Sequence, residues 1–150
     1  MKSIRNIFVA VDLQENTQKI VDLAIFMADK LNSEISFFHS IDFLEADAMG
    51  EMAKQKFSYD DYNLSKTDTA EKKIREFIIN SVGAARTYPV TVEAGDIVGN
   101  ILKQAVSQKA DMIIIGTHGK QIQGKILLGS VAEQVLRAAH CPVLVTNPDN

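Results

Sequence analysis

The chain has 150 residues, of which 46% are hydrophobic and 23% charged, as expected for a globular protein with a buried core. Its net charge of −3 gives no electrostatic reason to expect nucleic acid or an anionic membrane as a partner. With one cysteine no intrachain disulfide can form, and no apolar run approaches the roughly 20 residues that span a bilayer. The first residues lack a signal-peptide cleavage site. We therefore expect a cytoplasmic protein with a single domain over residues 1–150.

Apolar residues alternate along the chain between strand-like runs and helix-like spacing. Strands are predicted at residues 4–11, 35–41, 88–93, 112–115 and 142–146. Helices are predicted at residues 16–31, 69–81 and 130–139, with a further helix that begins after a cap at Asp96. In the first helix, which Asn16 is placed to cap, the predicted apolar stripe consists of Ile20, Leu23, Met27 and Leu31.

This order of elements, β-α-β-α-β-α-β-α-β, predicts right-handed crossovers and a mostly parallel sheet with helices on both faces. The strand candidates are almost continuously apolar, as in MIII at residues 112–115, which agrees with burial on both sides. The predicted fold is α/β, an open five-stranded sheet of the Rossmann-like type. Residues 43–66 have no sustained period and predict a variable loop or short helix; a lid over a ligand is the alternative.

Residues 116–130, GTHGKQIQGKILLGS, contain glycines in two possible frames. Counted from Gly119, the run is one residue short of a P-loop, because Ile126 stands where a Ser or Thr must hold magnesium. Counted from Gly116, it reads Gly-x2-Gly-x9-Gly-Ser. Ser130 and Glu133 form a capping box, which puts a helix N-terminus at Ser130. A helix start binds phosphate readily, and a glycine before it lets the backbone approach closely, so the second frame is favoured.

With its flanking segments, this second frame resembles the ATP-binding branch of the universal stress protein family. The similar segments are VAVD at 9–12, HSID at 39–42, IIIGTHG at 113–119, LGSVAEQVL at 128–136 and CPVLVT at 141–146. The resemblance implies the strand order 3-2-1-4-5 and a ligand site where that order reverses, between the first and fourth strands. It also implies a homodimer through the strand at 142–146. This strand is short and apolar and is expected at a sheet edge, where it could pair with a second copy.

The resemblance further implies a site for ATP, with or without Mg²⁺. Ala10 and the main chain of Ser40 would contact the base, and Asp12 would accept hydrogen bonds from the ribose. The remaining implied contacts are Ile115 and Gly116 beside base and ribose, His118 and Gly119 along the phosphates, and Gly129, Ser130 and Val131 at the helix start. The sequence does not indicate which of ATP, ADP, AMP and cyclic nucleotides is preferred.

Several of these residues have a structural alternative. Asp12 could cap the turn after its strand, His118 could use its backbone alone, and the loop residues Lys120 and Lys125 could be solvated instead of neutralising phosphate. His39 is expected to be a satisfied residue of its strand. The pair His140–Cys141 is a weak metal signal, with Cys141 expected to pack as a small hydrophobe.

Three functions follow from these patterns. The first is a nucleotide-dependent regulatory protein of the stress response, with no catalytic residues assigned. The second is a slow ATPase or a nucleotidyl-transfer enzyme of the same fold; the sequence shows little that would position a nucleophile for phosphoryl transfer. The third is a dimerising module that does not use nucleotide, against which the intact glycine pattern argues.

Overall fold

The computed structural model describes residues 3–14, 16–42, 59–117, 120–122 and 125–147. These ranges contain four helices: α1 (Thr17–Leu31), α2 (Tyr59–Val82), α3 (Ile97–Ser107) and α4 (Ser130–Ala138). They also contain seven strands: β1 (Asn6–Ala10), β2 (Glu34–Asp42), β3 (Val90–Gly95), β4 (Met112–Gly116), β5 (Lys120–Ile122), β6 (Lys125–Leu127) and β7 (Val143–Thr146). No helix within these ranges combines the length and the apolar character that crossing a bilayer requires.

Five strands form one parallel sheet in the order β3-β2-β1-β4-β7. Since β7 is the fifth of the predicted strands, the predicted order 3-2-1-4-5 is confirmed. Val9 in β1 lies opposite Phe37 of β2 on one side and Ile114 of β4 on the other. The chain runs outward from β1 in both directions, so the strand order reverses between β1 and β4. β3 and β7 are the two edges of this sheet.

The two faces of the sheet carry separate apolar clusters. Ile7 and Val9 of β1 pack with residues of α1 and α2, whereas Phe8 and Ala10 pack with residues of α3 and α4. Successive side chains of a strand point to opposite faces, so β1 contributes alternately to both clusters. Burial on both faces explains why the central strands read as unbroken apolar runs.

The predicted stripe of α1 is wrong in part. The residues that α1 buries are Thr17, Ile20, Val21, Ala24, Ile25 and Ala28. Of the predicted stripe Ile20 belongs to this set, while Leu23 and Met27 are half-buried and Leu31 is 40% exposed. Ala24 and Ala28 set the centre of the buried face because small side chains let the helix approach the sheet closely. The spacing of the larger apolar residues pointed to a neighbouring face.

Helix α2 begins at Tyr59, ten residues before the predicted start at residue 69, so it includes the end of the 43–66 segment. Residues 43–58 lie outside the described residues. The predicted inward residues of this helix are confirmed, with Ile74 and Ile78 buried and Phe77 packed against the same cluster.

A small antiparallel hairpin, in which Gln121 of β5 pairs with Ile126 of β6, was not predicted. Strands of three residues are too short to show a period.

Candidate functional site

A cavity of about 810 Å³ opens at the carboxyl ends of β1, β2 and β4. Its walls come from these strand ends, from the N-terminus of α4, and from one face each of α2 and α3. Ligand pockets in proteins typically measure about 300–1,000 Å³, so the cavity is large enough for a small molecule. It lies where the strand order reverses, which is the usual position of a ligand site in an open α/β sheet.

Eight of the ten residues predicted for the site line this one cavity: Ala10, Asp12, Ser40, Ile115, Gly116, Gly129, Ser130 and Val131. They come from four separate parts of the sequence, and the fold brings them together. His118 and Gly119 lie outside the described residues. Lys120 and Lys125 fall in the hairpin strands β5 and β6, and their role stays a prediction.

One side of the cavity is apolar. Ala10 and Ile115, both buried at strand ends, meet Ile97 and Ile101 from α3. The two α3 residues were not predicted for the site. Their spacing of four along a helix was visible, but it indicated only a buried helix face. A surface of this kind suits a flat, weakly polar ring.

Asp12 combines a structural role with its place in the cavity. Its Oδ1 accepts hydrogen bonds from the backbone N–H of Gln14 at 3.1 Å and from the Thr17 hydroxyl at 3.4 Å. The turn-capping alternative for Asp12 is thus confirmed. It does not compete with ligand binding, because a carboxylate has two oxygens and about four acceptor positions. Leu13, which follows, has a left-handed φ of 59°. Such strain in a non-glycine residue is common at functional sites.

Helix α4 begins at Ser130 as predicted, but the predicted capping by Ser130 is wrong. The N-cap is Gly129, whose carbonyl accepts the N–H of Glu133 at 2.9 Å, and no side chain caps this end. The Glu133 carboxylate pairs instead with Arg137 at 2.9 Å, one turn along the helix. Ser130 is therefore the first helical residue, and its exposed side chain lines the cavity beside the helix N-terminus.

Thr117 is a cavity residue that was not predicted from the sequence. It is 7% exposed, and its Oγ1 accepts the backbone N–H of Gly129 at 2.6 Å. Its own N–H donates to the carbonyl of Thr146 in β7 at 2.9 Å. A Cβ added to Gly129 would lie 2.8 Å from Thr117 Oγ1, which explains why glycine stands there. Thr117 occupies a variable position of the glycine pattern, so no motif drew attention to it.

The polar residues of β2 are held by protein contacts. The buried Ser40 hydroxyl accepts a hydrogen bond from the Asn100 side chain at 3.1 Å, which leaves contact through its main chain compatible with the fold. His39 Nδ1 lies 2.7 Å from the Val11 carbonyl and must donate to it, because a carbonyl only accepts. The interpretation of His39 as a satisfied strand residue is confirmed, and its ring also borders the cavity.

The described charged residues of the cavity are balanced in sign. Asp12 and Asp42 come from strand ends, and Lys66 and Lys73 come from α2. The lysines are seven residues apart, so they lie on one face of that helix. Neither lysine was predicted for the site, because the predicted helix began after Lys66 and nothing in the spacing around Lys73 indicated that it faces a cavity.

His140 and Cys141, the weak metal signal in the sequence, lie away from the cavity, after α4. His140 Nε2 donates to the Ala110 carbonyl at 3.1 Å. Cys141 is half-buried against the cluster that α3 and α4 cover, as expected for a small hydrophobe, and this burial raises the pKa of its thiol. Among the described residues no group of three His, Cys, Asp or Glu side chains is arranged to hold a metal ion.

The fold and the position of its cavity place the chain among the Rossmann-like α/β proteins. The profile of the universal stress protein family matches residues 3–147, and the chain belongs to that family. Universal stress protein A homolog 1 of Coxiella burnetii is 29% identical over 145 residues, covering 93% of this chain and 94% of that protein. Universal stress protein MJ0531 of Methanocaldococcus jannaschii is 58% identical over 45 residues, a match that spans 30% of this chain but only 26% of that relative.

Solved structures share the fold. That of MJ0577, a universal stress protein of M. jannaschii, superposes with a TM-score of 0.72 at 23% identity, covering 97% of both chains. A universal stress protein in complex with cAMP gives 0.66 at 16% identity, covering 98% of this chain and 99% of that one. One from Archaeoglobus fulgidus in complex with dAMP gives 0.53 at 18% identity, covering 96% and 98%.

Proposed function

We propose that this protein binds ATP in the cavity at the ends of β1, β2 and β4, and that nucleotide occupancy regulates its assembly or its partners. The observation that carries the proposal is the convergence of eight predicted residues from four segments on one cavity. The two related structures solved with cAMP and with dAMP support an adenine nucleotide as the ligand class.

Each part of an adenine nucleotide has a matching surface. The base packs against the apolar side, which Ala10, Ile101 and Ile115 form. The ribose hydroxyls donate to Asp12. The phosphates lie at the start of α4, where unpaired backbone N–H groups and the positive end of the helix dipole attract an anion. The exposed Ser130 side chain adds a hydroxyl at the same place.

Isothermal titration of the nucleotide-stripped protein with ATP tests the proposal. We expect saturable binding that Asp12→Asn weakens about tenfold or more, because a hydrogen bond to a charged group contributes about 1.5–3 kcal/mol. Asp29→Asn is the matched control, since Asp29 forms an ion pair with Arg86 on the surface and lies outside the cavity. Wild-type protein that takes up no ATP, or equal affinities in both variants, would contradict the proposal.

A homodimer through β7 is the assembly that we propose ATP regulates. β7 is an edge of the sheet, and Thr117 connects it to the cavity through the hydrogen bond from its N–H to Thr146. The carbonyl of Pro142 accepts the N–H of Ile113 in β4, and that of Thr146 accepts the N–H of Thr117, so the alternate residues Val143 and Val145 present their backbone groups to the open edge.

Val145→Pro tests the dimer because it removes an outward N–H while the ladder to β4 keeps its bonds. We expect a dimeric mass for the wild type in light scattering and a monomeric mass for Val145→Pro. Val145→Ile is the control and should stay dimeric. A monomeric wild type at micromolar concentration would overturn the assembly proposal without affecting nucleotide binding.

A further inference from the structure

Thr117 follows the last residue of β4 and reaches into the same cavity as the start of α4. Its side chain is almost completely buried, at 7% exposure, yet it lines the cavity. The chain therefore places a hydroxyl group inside the site, between the end of a strand and the N-terminus of a helix.

The hydrogen bond with Gly129 shows that the Thr117 hydroxyl oxygen is an acceptor. A backbone N–H only donates, so Thr117 Oγ1 is the acceptor in the 2.6 Å contact. A hydroxyl that accepts still carries one proton to donate. The described part of the chain offers no acceptor for that proton, since the other bond of Thr117 uses its backbone N–H. Because the hydroxyl lines the cavity, the acceptor for this proton can be a molecule that occupies the cavity, either water or a ligand.

We propose that the Thr117 hydroxyl donates a hydrogen bond to a phosphate oxygen of the bound nucleotide while it accepts the N–H of Gly129. This inference rests on the proposed function and names a further ligand contact within that site. A phosphate oxygen is an acceptor without a proton of its own, so it complements a hydroxyl whose lone pair is occupied. The positive end of α4, beside Thr117, favours an anion over a neutral acceptor.

The arrangement forms a chain of hydrogen bonds from Gly129 N–H through Thr117 Oγ–H to the phosphate. Bonds in such a chain polarise and strengthen one another. Glycine at position 129 leaves room for this arrangement, because any Cβ there would lie 2.8 Å from the hydroxyl oxygen. Valine has nearly the shape of threonine but neither accepts nor donates, so it breaks both links of the chain.

The test compares AMP with adenosine, which lacks the phosphate, by titration calorimetry. We expect Thr117→Val to weaken AMP binding about 10- to 100-fold and adenosine binding less than about threefold, because the lost bond is made to a charged group. Thr117→Ser keeps the hydroxyl and should restore the preference for AMP. Thr91→Val is the control, since Thr91 lies in β3 outside the cavity.

Equal losses for AMP and adenosine in Thr117→Val would show that Thr117 makes no contribution specific to the phosphate, and would overturn this inference while nucleotide binding stands. Undiminished AMP binding would overturn it equally. A wild-type protein that binds neither compound would refute the proposed function itself, and this inference with it.

A second measurement uses the unmodified chain in case Thr117→Val does not fold. In mixed light and heavy water, the NMR signal of the Thr117 Cβ reports how fast the hydroxyl proton exchanges. We expect AMP to slow this exchange and adenosine to leave it unchanged. The same exchange rate with both compounds would rule out a bond to phosphate.

Discussion

Replacing Gly129 by alanine tests the tight contact at the start of α4. The backbone angles of Gly129, φ −59° and ψ 147°, suit an alanine, so the cost arises from the new methyl group alone. That methyl would lie 2.8 Å from Thr117 Oγ1, closer than real Cβ contacts. Thr117 is buried and its β-branched side chain is stiff, so it cannot turn away cheaply. We expect Gly129→Ala to lower the free energy of unfolding by about 1–3 kcal/mol, the usual range for overpacking.

Urea unfolding of a double-mutant cycle locates this cost. Thr117→Ala removes the hydroxyl, so adding Gly129→Ala in that background should cost less than in the wild type, with a coupling of about 1 kcal/mol or more. Thr117→Val keeps an atom at the hydroxyl position, and Gly129→Ala should stay costly there. If the effects of Thr117→Ala and Gly129→Ala on the free energy of unfolding add to within about 0.5 kcal/mol, the cost does not arise from this contact.

Three further predictions concern stability away from the cavity. Asp96→Ala removes the carboxylate that caps α3, so thermal unfolding should show a loss of about 0.5–2 kcal/mol; an unchanged melting temperature would contradict this. Backbone N–H groups of Arg5 and its neighbour lower the pKa of Asp111, so its stabilising effect is present above about pH 4 and is lost as the pH falls through the folded-state pKa. Asp111→Asn should therefore lose less stability on acidification than the wild type, and parallel curves would refute the assignment. Burial raises the pKa of Cys141, so its stabilising effect should decline as the pH rises past the ordinary thiol value of about 8.5. Cys141→Ala should lack that decline, and the wild-type thiol should react slowly with iodoacetamide at neutral pH.

The five strands, their parallel pairing and one helix cap were predictable because their signals are local, whereas the strand order came from the family resemblance. Near-continuous apolar runs marked the five strands, and alternation with helices required parallel pairing. Asp96 was correctly predicted as a cap, and its Oδ2 accepts the N–H of Gly99 at 2.7 Å. Ser130 carried an equally good local signal and was wrong, because Gly129 takes the cap position and Arg137 binds the Glu133 carboxylate. A capping box shows that a helix begins nearby, but its register depends on neighbouring contacts.

The parts of the site that sequence reasoning missed depend on contacts between distant segments. Thr117 matters through a hydrogen bond to Gly129, twelve residues away, and through another to Thr146 at the sheet edge. Lys66 lies in α2 because this helix starts earlier than its apolar period showed, and Lys73 faces a cavity whose other walls come from distant segments. The glycine pattern found the residues that a ligand approaches most closely, but the residues that hold them in place carry no motif.

The measurement that most directly tests nucleotide binding is an amide NMR titration of the nucleotide-stripped protein with ATP. The account predicts saturable shifts concentrated on residues at one end of the sheet: Ala10, Asp12, Gly116, Thr117, Gly129 and Ser130. Amides at the opposite end, such as those of Asn6 and Asp111, should stay in place. Shifts centred away from the ends of β1, β2 and β4 would contradict the site, and a spectrum unchanged at millimolar ATP would contradict nucleotide binding altogether.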